Sequence, residues 1–225
     1  LIPALFFRLP HITGQLMYRR RSFLNLLKCW QPDVVVADNH PELWTRRAYT
    51  IYVTHQINPE LTGLYKAFRP LAGYIHQLII KRYHDLWIPD MPPPQMLAGR
   101  LSRPPRPFTR FSYIGVLSRF QANLPQPPDV PDILIVLSGP EPQRSRLEAQ
   151  LLRNLKHTTD KVLLVRGMAN RPMERLPMHI RQVRHLKQEL LNRYMLASPV
   201  IIARCGYSTV MDLIKIRRNA ILIPT

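Results

Sequence analysis

The sequence predicts an α/β protein built as two successive domains, each around a parallel sheet. Three observations predict it. Short β-branched runs such as "DVVVAD" (Asp33 to Asp38) have the length and flanks of buried parallel strands. These runs alternate with helix-period segments, most regularly in the second half, as βαβ units do. Between the halves lies "LPQPPDVPD" (Leu124 to Asp132), four prolines in nine residues, a stiff and contact-poor boundary. The division expected is residues 1–120, a linker over 121–131, and residues 132–225.

Taken in order, Pro3 to Trp30 carries apolar residues at helical spacing with basic residues between them, giving one or two amphipathic helices. Strands follow at 33–38 and 49–56. Residues 64–84 read as a long helix, kinked or started near Pro70. "DLWIPD" (85–90) and "FSYIGV" (111–116) are the next strands. Beyond the prolines come the strand "ILIVL", the helix "PQRSRLEAQLLRNL", and the strands "KVLLV" and, more weakly, "HIRQV". The helix "KQELLNRYML", the strand "PVIIA", the helix "STVMDLIKI" and the strand "AILIP" complete the chain. Each half is thus a Rossmann-type domain.

The composition, 46% apolar and 20% charged, is that of a globular chain and argues against disorder. The net charge of +18 favours phosphates, nucleic acid or an anionic membrane surface as partners and leaves the fold open. Cys29 and Cys205 lie far apart without metal-type spacing, so reduced thiols and a cytoplasmic location are expected. No signal peptide and no apolar window of spanning length is visible. The chain begins on Leu1 and ends inside "AILIPT", so an excerpt of a longer protein is expected.

In an open parallel sheet ligands bind beyond the carboxyl ends of the strands, and three such loops stand out. In "VIIARCGYSTVMD" the strand empties into Arg204, Gly206 and a helix start, with Ser208 and Thr209 at the cap and first turn and Asp212 one turn in. A helix N-terminus carries roughly +0.5 of a charge and unpaired N–H groups, which suits a phosphate. Asp212 could accept from ribose hydroxyls. The same residues also make an ordinary turn, cap and dipole-favouring acid. "LSGPEPQR" offers Ser138 and Gly139 to an anion, with Gln143 and Arg144 in reach, yet on its own reads better as an ordinary βα turn. "VTHQINPE" bunches His55, Gln56 and Asn58 at a strand end, His55 suited to act as a general base or to bond an acceptor hydroxyl. A lone His in such a loop is more often structural. Asp38, Asn39 and His40 form a weaker group of the same kind.

Several patterns are missing. There is no GxGxxG, no GxxxxGK[ST], no DxD pair and no HExxH or HxxxH spacing, so a dehydrogenase, a P-loop NTPase and a zinc hydrolase fall away. No cofactor and no metal site is expected.

"RCGYSTVMDL…AILIPT" resembles the carboxy-terminal-domain motif of glycosyltransferase family 28, the MurG-like enzymes of the GT-B fold. "VADNH", "VTHQIN", "LWIPD", "YIGVLSRF", "LSGPEPQR" and "LLVRG" follow in the family's order, so the resemblance spans essentially the whole chain. It implies a GT-B pair of Rossmann-like domains, both incomplete. Arg204, Gly206, Ser208 and Thr209 would frame the diphosphate of a nucleotide sugar, and Asp212, shorter than the usual Glu, would bind ribose. Leu186 in "VRHL" matches the loop whose backbone reads uracil, and Ser138 and Gly139 match the first loop of that domain. His55, Gln56 and Asn58 resemble the family's acceptor-facing segment, with Ile57 inserted in the order. The family's first strand, with its glycine-rich loop and the His near the acceptor, would lie before Leu1. Its Pro-Gly-Gln segment would follow Thr225. The excerpt alone is expected to bind nucleotide poorly and to be inactive.

The resemblance therefore implies an inverting, metal-independent hexosyltransferase, with UDP the family's habitual carrier and a carbohydrate or lipid-linked acceptor. The Pro-rich segment would serve as a hinge. A sugar-nucleotide epimerase of the same architecture and a basic anion-binding or membrane-binding module are the alternatives. No RNP-like aromatic platform supports nucleic acid as a partner. The basic, apolar stretch "LFFRLPHITGQLMYRRR" would suit peripheral contact with an anionic membrane.

Overall fold

The computed structural model describes residues 2–58, 63–104, 110–167 and 175–224. The chain divides into two compact units, Leu1–Gly115 and Val116–Thr225.

In the first unit one helix, α1 (Ile2–Trp30), precedes a four-stranded parallel sheet. Its strands are β1 (Val34–Asp38), β2 (Tyr49–Val53), β3 (Asp85–Ile88) and β4 (Phe111–Tyr113), in spatial order β1-β2-β3-β4. The long helix expected over 64–84 is a 3-10 turn, Gly63–Phe68, followed by α2 (Arg69–Ile80). Pro70 sits in the first turn of α2, where a missing N–H costs nothing, so it starts the helix and does not kink it. The core gathers Ala37, Tyr52, Ile80, Tyr83, Leu86 and Ile88. Tyr52 and Tyr83 stack with centroids 4.9 Å apart, and the Tyr83 hydroxyl donates to the His40 carbonyl at 2.9 Å, which seats the end of α2 on β2.

The second unit carries β5 (Ile133–Val136), α3 (Gln143–Leu155), β6 (Val162–Val165), β7 (Ile180–Val183), α4 (Gln188–Ala197), β8 (Val200–Arg204), α5 (Tyr207–Lys215) and β9 (Ile221–Ile223). All its strands are parallel, in spatial order β7-β6-β5-β8-β9. The alternation of side chains along β5 and β6 makes three layers. Ile135, Val162 and Leu164 pack under Leu147, Leu151 and Leu155 of α3. Leu134, Leu163 and Val165 face the other way, onto Tyr194 and Met195 of α4 and Leu213 of α5.

The 121–131 segment, expected to be a stiff and contact-poor linker, is bonded to the second unit, and so is the residue before it. Phe120 is buried in that core, the Gln121 amide donates to Asn192 Oδ1 at 2.8 Å, and Arg193 donates to the carbonyls of Pro125 (2.8 Å) and Gln126 (2.9 Å).

A buried ion pair joins α3 to the end of β6. Arg166 Nε lies 2.6 Å from Glu148 Oε1, with both side chains nearly inaccessible. Removing one partner strands the other's charge in the interior. Glu148→Leu is expected to lower unfolding free energy by about 3–5 kcal/mol in a denaturant titration, with most of the loss recovered in a Glu148→Leu, Arg166→Leu double variant.

Candidate functional site

The strand order reverses between β5 and β8, so the loops leaving their carboxyl ends diverge to opposite faces and leave a crevice. Arg204 ends β8 and fills the floor of that crevice. It is 4% exposed, its Nη1 donates to the Ser138 carbonyl at 3.1 Å, and its Nη2 donates to Gln143 Oε1 at 3.4 Å. Its Nε has no partner, and no carboxylate pairs with the guanidinium among the described residues. Both acceptors are neutral, so a full positive charge is held out of water without a counter-ion. That costs several kcal/mol in real proteins.

Gly139 sits directly over this side chain. Its φ is +92°, and a Cβ there would fall 2.5 Å from Arg204 Nη1. Only glycine fits both the backbone conformation and the space. The loop is gripped from its other end by Arg144, which donates from Nη2 to Glu141 Oε1 at 2.8 Å and from Nη1 to the Gly167 carbonyl at 2.9 Å. Arg144 and Ser145 together hold the Glu141 carboxyl down to about 2. Gln143 and Arg144, expected to reach out over a ligand, are thus engaged within the loop: the first accepts from Arg204, the second is buried against its own turn.

Beyond Arg204 the Cys205 amide donates to the Ile223 carbonyl, and α5 starts at Tyr207. Gly206 is the N-cap, with extended backbone and no side-chain capping bond, so Ser208 lies inside the first turn and is not the cap. The first intrahelical bond is Val210 N–H to the Gly206 carbonyl. Ser208 is exposed and Thr209 half-buried. The positive end of the α5 dipole therefore lies just beyond Arg204 in the chain.

Asp212, one turn further on, is half-buried. Burial pushes its carboxyl pKa up, while a hydrogen bond from Ser118 and the nearby Arg119 charge pull the other way. Ser118 Oγ donates to Asp212 Oδ1 at 2.5 Å, and the Leu117 amide donates to Met211 Sδ at 3.3 Å. Leu186 is buried in the core below the loop into α4, so its side chain anchors the loop and only backbone is left to face a ligand.

In the first unit, Asp38 ends β1 beside Val53 of β2, and the chain turns at Asn39 with φ +56°. Asn39 Oδ1 accepts from Thr54 Oγ1 at 3.1 Å, and the Gln56 amide donates to the same hydroxyl at 3.1 Å. His55 is half-buried. Burial lowers its pKa, with the Asp90 and Asp38 charges opposing. Gln56 is exposed, and Ile57 is buried in the core, which explains an apolar residue in a polar stretch. Asn58 donates from Nδ2 to the Arg100 carbonyl at 2.9 Å and to the Arg103 carbonyl at 2.5 Å, stapling its loop to the 99–103 turn. His40 turns aside to Glu42 Oε1 at 3.1 Å. Asp90, fully buried, accepts from the Met91 and Leu97 amides at 2.7 Å, the Ala98 amide at 3.1 Å and the Ser102 hydroxyl, and so shapes the loop after β3.

Among the described residues no group of three or more His, Cys, Asp or Glu side chains converges as metal ligands would. No helix among them is long and apolar enough to cross a membrane.

Two Rossmann-like units with parallel sheets, the second with its crevice at the strand-order reversal, define the GT-B class of fold. Among solved structures the chain is similar to the glycosyltransferase SnogD from Streptomyces nogalater, with a TM-score of 0.52 and 16% identity over 90% of this chain. The chain spans 58% of that structure's length. No family model matches the chain, and no curated protein sequence does.

Two outcomes follow from this geometry. Gly139→Ala should cost about 1–3 kcal/mol, read as a lowered denaturant midpoint, because both its φ and its Cβ are disallowed. In a histidine NMR titration His55 should titrate below the ordinary value of 6.5, and Asp38→Asn should lower it further by removing a charge that favours the imidazolium.

Proposed function

We propose that this chain belongs to a glycosyltransferase of the MurG-like type, moving a hexosyl or N-acetylhexosaminyl group from a UDP-linked donor to an acceptor hydroxyl with inversion. One observation carries the reading: the buried Arg204 guanidinium, held by neutral acceptors beneath Gly139 at the strand end that leads into α5. A site that concentrates positive charge at the reversal point of a parallel sheet suits a nucleoside diphosphate. The kinship in fold with a glycosyltransferase supports the same reading.

On this reading the acceptor oxygen attacks the anomeric carbon as the bond from that carbon to the diphosphate oxygen breaks, and a base takes the acceptor proton. The charge gathering on the leaving diphosphate is met by the α5 amides and by the field of Arg204, with no metal needed. Arg204 acts from below, through the Ser138–Gly139 loop. Asp212, one oxygen steadied by Ser118, takes the ribose. The backbone beside Leu186 reads the base, and Asp38, His55 and Gln56 face the acceptor. The acceptor is a carbohydrate or a lipid-linked sugar. Both cysteines are free thiols, which suits a cytoplasmic enzyme.

Calorimetric titration of the complete protein with uridine and with UDP separates these roles. Asp212→Ala should weaken both by about tenfold or more, the worth of a charged hydrogen bond. Arg204→Met should weaken UDP and leave uridine nearly unchanged. Absence of UDP binding to the complete protein, or equal UDP affinity in wild type and Arg204→Met, would overturn the proposal.

A further inference from the structure

Asp212 lies in the second turn of α5, past the end that favours an acid through the helix dipole. Aspartate is a poor helix former there, and no ion pair joins this one among the described residues. What holds it comes from the segment by which the chain enters the second unit, which begins at Val116. Two successive residues of that segment bond two successive residues of the helix. The Leu117 amide donates to Met211 Sδ at 3.3 Å, and Ser118 Oγ donates to Asp212 Oδ1 at 2.5 Å. The Ser118 hydroxyl is itself fixed: it accepts from the Phe120 amide at 3.0 Å, which leaves its own proton for the carboxylate. Phe120 is 3% exposed, in the core with Tyr194, Met195 and Leu213. Gln121 exchanges two bonds with Asn192 of α4, its amide donating to Oδ1 at 2.8 Å and its carbonyl accepting from Nδ2 at 3.2 Å. The direction of one hydroxyl is thus set by the core of the unit.

We infer that Ser118 is a positioning residue for the nucleotide: by holding Oδ1 it presents the other oxygen of Asp212 to the ribose, and it ties nucleotide affinity to the setting of residues 117–121. The inference rests on the donor-site reading, in which Asp212 takes the ribose. A carboxylate that is already held loses little rotamer freedom when a ligand binds, and one that keeps its charge accepts hydroxyl donors most strongly. Ser118 serves both ends. Burial disfavours the charged form of Asp212, while the Ser118 hydrogen bond and the Arg119 charge favour it. The other charged residue of α5 is Lys215, about a turn further on. Coupling of this kind is reciprocal, so a ribose bound at Asp212 steadies the segment in its turn.

Calorimetric titration of the complete protein with uridine and with UDP tests this. Ser118→Ala should weaken both by the same factor, about fivefold, because the ribose is common to them. Ser118→Thr, which keeps the hydroxyl, should stay within about twofold of wild type. In an Asp212→Ala background Ser118→Ala should have no further effect, since no carboxylate is left to hold. A brace that merely stabilised the unit would cost the same in both backgrounds. The ionised carboxylate is the form that accepts from ribose, and the Ser118 bond favours it. The fall in uridine affinity on acidification should therefore set in at a higher pH in Ser118→Ala than in wild type. Hydrogen exchange at the Leu117, Phe120 and Gln121 amides should slow when uridine binds wild type, and not in Ser118→Ala. Ser118→Ala binding like wild type, a cost equal with and without Asp212, or exchange that uridine leaves unmoved would each overturn the inference. Where wild type binds both ligands and Asp212→Ala weakens them, such a result removes Ser118 alone. Where wild type binds neither, the donor-site reading falls and takes this inference with it.

Discussion

The second unit depends on one buried cation. β5 and β8 run side by side, and the loops that leave them part to opposite faces, so something must fill the gap and satisfy the carbonyls it exposes. Arg204 does both: its stem continues β8 and its fork reaches the Ser138 carbonyl and the Gln143 amide oxygen. That reach forbids a side chain at residue 139, fixes the loop into α3, and leaves a charge with no carboxylate to neutralise it. A carboxylate in that position would have made the loop more stable and the crevice useless to an anion. The neutral acceptors keep the arginine buried while leaving its field available, and in a low-dielectric interior that field is weakly screened.

Much of this was legible in the sequence because it is local. The β-branched runs, the helix periods and the loops at strand ends are patterns over five to fifteen residues, and in the second unit the strands and helices fall within a residue or two of where the pattern puts them. In the first, the helix expected over 64–84 is shorter, and the strands begun at Tyr49 and Phe111 end at Val53 and Tyr113. Gly139 could be singled out as a glycine just after a strand and Asp212 as an acid one turn into the next helix, while Arg204 was singled out through the resemblance of its motif to a known family. What the sequence did not disclose is long-range. Ser118 is 94 residues from Asp212, in a stretch that reads only as loop, and nothing local says that its hydroxyl steadies a carboxylate. Asp90 looks like a strand-ending acid, and only the folded chain shows four donors converging on it. Whether an arginine is a free hand or a strut is equally invisible: Arg144 at the start of α3 and Arg204 at the end of β8 both donate to groups of their own unit.

The composition posed a puzzle that the hydrogen bonds resolve. A chain with 23 prolines lacks that many backbone N–H donors, and a net charge of +18 is more than anion binding requires. The two excesses offset each other. In several loops a guanidinium supplies the donor: Arg193 donates to the carbonyls of Pro125 and Gln126, Arg20 to those of Glu42 and Trp44, Arg144 to that of Gly167, and Arg218 to that of Ser198. Arginine is suited to this because its planar fork presents several donors in fixed directions, which lysine cannot do. The Pro-rich segment after Leu124 shows the consequence most plainly. Proline stiffens it but strips it of donors, so it would be expected to stay solvated; a single arginine on α4 binds two of its carbonyls and makes it part of the second unit. Part of the positive charge is therefore structural.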